Sequence, residues 1–515
     1  MGYRCYIVPY SLLLVFILPA LGVPLAYLTA KKSTKAAGIL VALIALANIG
    51  LILSTLPAVA RDSIYQEEYT WIPILDAHFT LFVDGISASI ALISLILILA
   101  AALFSINYME GKKNLPVYYA LLSMLSIGLV GVFITSNLLL FYFCWELMLV
   151  PAYFIIGGWG YRESYRAAFK FFIFTHAGAV FVLLGIGAIY MTTGLTNMFA
   201  VQTALLSYPS IARWILVALT AGFAVKMAIV PLHMWLPDAH SEAPATMSAL
   251  LSGIIISAGA YAILRLSLGT VFPAVAGTAF GSSFLHGLAI FGVISAFFGS
   301  FIALVETDIK RIIAYSSISH MGYVMFGLSL YSSAPIVGAI TITAAIVGTV
   351  LHIINHAVSK GLFFLSAGSI MHQTEMRNID EMGGLAGKMP FTAASSITAA
   401  LSIAGLPPFA CFVSEFLIFV GAFEIISIDG FYTLPTVFML IATVISLAYS
   451  LRFIYRVFLG QSRSKNAGQE GEGEKKIVDV PNYMKLAMGI LVIFVIILGI
   501  HPAFFINLIN TVAII

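Results

Sequence analysis

An all-α integral membrane fold of about fourteen transmembrane helices is predicted for this chain by three observations. Of its 515 residues, 61% are hydrophobic and only 9% are charged. A soluble domain carries about a quarter charged residues, so the bilayer must be the solvent. Apolar runs of about 20 residues recur to the end of the chain. Lysine and arginine also sort onto alternate loops.

The apolar runs are 7–30, 36–60, 85–107, 115–134, 137–159, 167–193, 211–230, 245–268, 284–305, 311–331, 336–371, 391–422, 433–458 and 483–505. The first is too long for the apolar core of a signal peptide, and Pro19 and Pro24 interrupt it, so it is read as a membrane helix. With the N-terminus outside, loops after odd-numbered helices hold seventeen basic residues, including Lys31, Lys310 and Arg377. The other side holds three, Arg4, Arg61 and Arg213. Positive loops stay inside. Both termini are therefore expected on the external or periplasmic side of a prokaryotic plasma (inner) membrane.

Residues 1–110 hold helices 1–3, and residues 111–270 and 271–460 hold helices 4–8 and 9–13. Each of these two blocks contains five spans, and an odd-numbered repeat inverts its topology. The Lys226/Pro231 helix of the first block takes the place of the Pro408/Glu415 helix of the second. Two inverted five-helix repeats with broken helices 7 and 12 are expected, as in transporters. Residues 461–482, with the run EGEGEKK, read as a solvated cytoplasmic loop, and 483–515 as the last helix.

Cys5, Cys144 and Cys411 are isolated, so neither a bound metal nor an iron–sulfur cluster is expected within the chain. No glycine-rich phosphate loop follows a strand pattern. No basic cluster is interleaved with aromatics, so nucleic acid is not an expected partner. Membrane lipids are.

A charge in the hydrocarbon core costs at least a few kcal/mol, so such residues are usually functional or paired. The deep ones are Glu146 in helix 5, Lys226 in helix 7, Lys360 in helix 11 and Glu415 in helix 12. His176, His320, His352 and His356 add titratable polarity. Arg265, near the outer end of helix 8, is expected to snorkel to the interface. Desolvation disfavours a buried ammonium and a nearby carboxylate favours it. A Glu146–Lys226 pair that forms and separates is thus a candidate switch, with titrations belonging to the pair. The bland alternative is a structural carboxylate satisfied by one cation.

Pro231 follows Lys226 by five residues, and Pro407-Pro408 lie just before Glu415. Proline breaks the backbone ladder, and broken helices at membrane depth line cavities or protein interiors. A packing kink is the simpler reading for either helix alone. Helix 11 reads HIINHAVSKGLFF, so His352, His356 and Lys360 recur every four residues on one stripe. A proton relay explains three titratable groups in line. Metal is the weaker option, because two histidines need a further ligand.

The segments FYFCWELMLVPAYFIIGGWG, KMAIVPLHMWLPDAHSEAPATMSALLSG and ETDIKRIIAYSSISHMGYV resemble the proton-conducting membrane transporter family. That family includes the antiporter-like subunits of complex I and related subunits of sodium/proton antiporters, membrane-bound hydrogenases and deazaflavin-dependent dehydrogenases. The resemblance covers most of the chain. It implies that Glu146 is the glutamate of the WEL motif and Lys226 the lysine of broken helix 7. Glu415 takes the place where the M-type branch tends to carry glutamate and the other branches lysine. Two departures stand out. Ser257 takes the place of a lysine found in helix 8 of bacterial M-type chains, and Lys360 resembles the central lysine of the other branches. The resemblance implies a non-redox, proton-translocating subunit of an NADH–quinone oxidoreductase. Flavin, iron–sulfur clusters and quinone would then reside in partner subunits, and the membrane neighbours would be of the L, N, K and H types. A sodium/proton antiporter subunit, or the membrane subunit of a related dehydrogenase or hydrogenase, is the alternative.

Overall fold

The computed structural model describes residues 10–331, 344–461 and 477–511. The acidic loop, the first half-turn of helix 1 and the start of the run 336–371 lie outside them. Every apolar run meets helix within the described residues. The helices are α1 (Ser11–Lys32), α2 (Thr34–Asp62), α3 (Gly85–Tyr108), α4 (Leu115–Ile134), α5 (Leu138–Trp159), α6 (Ser164–Thr193) and α7a (Pro209–Met227), followed by the short α7b (Leu236–Glu242). Next come α8 (Ala245–Val275), α9 (Ala279–Val305), α10 (Ile309–Ser329), α11 (Ala344–Thr374), α12a (Pro390–Ile403), α12b (Ala410–Ile426), α13 (Gly430–Leu459) and α14 (Asn482–Ile500).

Among the described residues, 12 helices are long and apolar enough to cross a membrane. The helix α10 is not among them, because Lys310, Arg311, His320 and a run of serines dilute its apolar character. It is nonetheless buried along almost its whole length. The helices α3, α8, α10 and α11 form the interior, and α1, α2, α6, α9, α13 and α14 expose one side. The exposed side carries large apolar groups such as Leu25, Leu46, Phe181 and Val444, which suits contact with lipid tails.

Both expected breaks are present. The helix α7a stops at Met227, Ala228 adopts the left-handed region (φ 58°), and the chain turns before α7b. Freed backbone groups find partners there: Val230 N–H donates to Ser295 Oγ (3.1 Å), and Trp235 Nε1 donates to Val225 O (2.9 Å). The second break separates α12a from α12b. Gly405 sits in it with φ 68°, and a Cβ at that position would come within 2.5 Å of Glu415 Oε2. The left-handed backbone favours glycine there, and its lack of a side chain leaves room for the carboxylate.

Three features depart from expectation. The fold is not wholly α. Residues Tyr65–Ile72 and Ala77–Val83 pair as an antiparallel hairpin between α2 and α3. Tyr65, Tyr69 and Trp71 on one side of YQEEYTWI, with Gln66, Glu68 and Thr70 on the other, are the strand signal, which run length alone does not show. Glu67 on the hairpin accepts hydrogen bonds from Leu12 N and Leu13 N (3.0 Å each) and from the Tyr65 and Tyr69 hydroxyls (3.0 Å each). It thereby satisfies orphan N–H groups at the start of α1. Second, α8 contains two π-helical stretches, Leu251–Ile255 and Ile263–Val271. Third, Arg265 on the second stretch does not snorkel. It is buried and ion-paired with Asp84, its guanidinium lying near the rings of Phe82 and Tyr261. Asp84 also caps α3 by accepting from Ser87 N (2.9 Å). The deep arginine is thus compensated in place, so it has no reason to reach for the interface.

Candidate functional site

The stripe on α11 is real and fully buried: His352, His356, Lys360 and, one further turn along, Phe364. Neighbouring helices bring other polar groups to it. His320 of α10 places Nδ1 at 3.2 Å from His352 Nε2 and 3.8 Å from Glu415 Oε1 of α12b. Tyr449 of α13 lies 3.4 Å from His320 Nε2 through its hydroxyl. His352 Nδ1 is 3.0 Å from Ser414 Oγ, which orients the ring. Lys360 Nζ donates to Ile313 O (3.1 Å) and closely contacts Ser316 Oγ, both on α10. A serine that reduces the hydropathy of α10 therefore satisfies the buried lysine head group.

Among the described residues, both ring nitrogens of His356 and Glu415 Oε1 have no hydrogen-bond partner. Buried polar groups are normally satisfied. Unpartnered groups beside a bonded His320–His352 contact leave lone pairs and protons free for exchange, as a relay requires. His320, His352 and Glu415 could also hold a metal ion, since their donor atoms all lie within 4.8 Å of one another. The third ligand absent from the α11 stripe is thus supplied by α10 and α12b. His356 and Lys360 on the same stripe lie outside that triad and can each carry a proton, so proton transfer is the chemistry better suited to the whole row.

At the other break, Glu146 and Lys226 form no ion pair within 4.0 Å among the described residues. Glu146 Oε2 instead lies 3.3 Å from His176 Nδ1. Lys226 is buried, and its Nζ donates to Trp145 O (3.2 Å) and sits 4.3 Å from the Trp145 ring centroid. The two members of the expected pair are therefore apart here, Lys226 resting on Trp145, the residue before Glu146.

Two groups were missed by sequence reasoning. Lys310 was assigned to a cytoplasmic loop, yet it is fully buried and its Nζ donates to Ala243 O (2.5 Å). His240 of α7b is buried, stacked on Phe364 at 4.9 Å between ring centroids, and neither of its nitrogens has a hydrogen-bond partner among the described residues. His240 thus extends the α11 stripe beyond Lys360. The signal was present in LPDAHSEAP, but only the fold brings it to α11. Beside it opens a polar cleft of about 250 Å³ lined by Glu163, Arg166, Asp238, Glu242 and Arg311. Ion pairs Lys170–Asp238 (2.7 Å), Arg377–Glu242 (3.0 Å) and Arg377–Asp308 (2.7 Å) organise its walls. Burial lowers the Arg377 guanidinium, but Asp308 and Glu242 outweigh it and hold the group above its ordinary value. Ser257 donates to Gly253 O (2.8 Å) within its own helix, so α8 contributes no charge at that position.

A family of transmembrane proteins described as NADH:quinone oxidoreductase/Mrp antiporter matches residues 135–446, which hold both breaks and the candidate proton-translocating residues Glu146, Lys226, His320, His352, His356, Lys360 and Glu415. The chain belongs to this family. Subunit M of NADH-quinone oxidoreductase from Pseudomonas aeruginosa is 34% identical over 410 residues, covering 78% of this chain and 76% of that one. Subunit M of F(420)H(2) dehydrogenase from Methanosarcina mazei is 30% identical over 450 residues, covering 85% and 84%. Among solved structures, a chain of the membrane-bound sulfane sulfur reductase, an archaeal respiratory membrane complex, superposes with a TM-score of 0.82 at 27% identity, covering 97% of this chain and 77% of that one. The likeness to proteins named subunit M agrees with the resemblance drawn from Glu415.

Proposed function

We propose that this chain is the M-like, proton-translocating membrane subunit of an NADH–quinone oxidoreductase or closely related respiratory complex. The observation that carries the proposal is a continuous row of buried titratable groups between two broken helices. Protons load from the cytoplasmic side through the cleft at Asp238 and Glu242, reaching His240 and Lys310. They pass to Lys360, then His356, then the His320–His352 contact, and leave outward from Glu415. The Glu146–Lys226 pair is the switch. When Glu146 leaves His176 and approaches Lys226, it stabilises the ammonium there. Two unit charges about 4 Å apart interact by about 4 kcal/mol at an effective dielectric near 20. That is enough to change proton affinity roughly a thousandfold.

The chain's own residues bind and move protons, and the redox step belongs to partner subunits carrying flavin, iron–sulfur clusters and quinone. Membrane neighbours of the L, N, K and H types complete the assembly, and both termini face the external side. Gentle purification through a tag on this chain, with mass spectrometry and an EPR spectrum of what accompanies it, tests the proposal. Iron–sulfur signals with hydrophilic dehydrogenase subunits are expected. A colourless assembly of membrane subunits alone would replace the redox pump by a sodium/proton antiporter, the reading that Lys360 in helix 11 favours.

A further inference from the structure

An apolar cleft of about 420 Å³ opens between α7a and α9. Its walls are Val217, Ala221 and Ala224 on one helix and Phe284, Gly287 and Phe291 on the other. Its floor is the break itself, Ile229–Leu232. The rim is exposed and apolar: Val217 and Phe291 are both exposed, and Trp214 beside it is 73% exposed. In a membrane-spanning bundle such a rim faces hydrocarbon.

A charge stands one helical turn above the cleft. Arg213 lies on the stripe of Val217, Ala221 and Ala224, at intervals of about one helical turn, and about 16 Å of α7a separates it from Ala224. On the facing helix, Phe280 continues the row of Phe284, Gly287 and Phe291. The Arg213 guanidinium lies 6.0 Å from the Phe280 ring centroid, so the two helices meet above the cleft. Arg213 is exposed and, among the described residues, makes no ion pair within 4.0 Å. A free cation at the head of an apolar cleft open to lipid matches one ligand chemistry: an anionic phosphate on an acyl chain.

We propose that this cleft binds an anionic glycerophospholipid, its phosphate at Arg213 and one acyl chain lying against the helix break. Anionic headgroups attract basic side chains at the membrane surface, and the chain buries apolar area that would otherwise line an open crevice. The ligand then touches the segment that follows Lys226 directly. The proposal requires only that the chain spans a membrane, and it stands apart from the proton route.

The test is tryptophan quenching in the full-length chain reconstituted into nanodiscs. Phosphatidylglycerol or phosphatidylcholine with brominated acyl chains is the quencher, and subtracting the signal of Trp214→Phe isolates Trp214. Trp214 should be quenched at least threefold more strongly by the phosphatidylglycerol. Arg213→Gln should bring that ratio to one. Gly287→Phe should reduce quenching by both lipids, because a Cβ at Gly287 meets nothing within 4 Å and the larger side chain fills the cleft without displacing backbone. Equal quenching by the two lipids in the unaltered chain would mean ordinary annular contact and would overturn the proposal. Absence of quenching by either would mean that acyl chains do not reach the cleft, and would overturn it equally.

Discussion

Replacing Glu415 by glutamine removes the carboxylate at the outward end of the row and keeps its size. Glu415 Oε1 lies 3.8 Å from His320 Nδ1, and both are buried. At an effective dielectric of about 20, an ionised Glu415 stabilises an imidazolium at His320 by about 4 kcal/mol. Losing it disfavours the protonated intermediate by roughly a thousandfold, which is the ceiling on the rate defect if every proton crosses His320. Relaxation and neighbouring serines reduce that figure, so a loss of at least tenfold is expected. The assay is acidification in proteoliposomes containing the assembled complex, with electron transfer measured in parallel. Native gels control for assembly. Glu415→Asp should retain part of the activity, since it keeps the charge. If the glutamine variant translocates as many protons per electron as the unaltered protein, Glu415 is not on the route and the direction assigned to the row is wrong.

Three further outcomes follow from the same geometry. Glu146→Gln should abolish or sharply reduce coupled translocation while the complex still assembles, and full pumping in that variant would sink the switch. Asp84→Ala should destabilise the chain by about 3–5 kcal/mol, because it leaves Arg265 buried without its partner; a double change to Asp84→Asn with Arg265→Met should recover much of the loss in a thermal unfolding scan, and an unaltered midpoint in the single variant would refute the pairing. Glu67→Ala should lower thermal stability by about 0.5–2 kcal/mol through loss of the α1 cap, with proton translocation per electron unchanged; a translocation defect without destabilisation would show that the hairpin does more than cap.

The resemblance reached the right family because WELM, HMWLPDAHSEAP and Glu415 are local strings whose residue types are constrained together. Composition and run length placed the helices, since a bilayer demands about 20 apolar residues for each crossing. The i, i+4 spacing of His352, His356 and Lys360 fixed their common face, because helix periodicity is a local property. The two breaks were visible in Pro231 and Pro407-Pro408 for the same reason: proline acts on its own helix.

What the chain could not disclose from its order alone was which distant groups would meet. Asp84 and Arg265 lie far apart in sequence and close a buried pair. Lys310 reads as a loop lysine beside Arg311, yet the packing of α10 draws only the latter toward the polar cleft and seals the former inside. Glu146 of α5 lies against His176 of α6 and not Lys226, a choice of neighbour that no single-helix pattern encodes. His320 and Glu415 complete the α11 row only once α10 and α12b pack on it. Local strings determined the membrane class, the helices, the breaks and the family; the pairing of buried charges was decided by tertiary packing, because electrostatic partnership in a low-dielectric interior depends on distances of a few ångströms between helices that are remote in sequence.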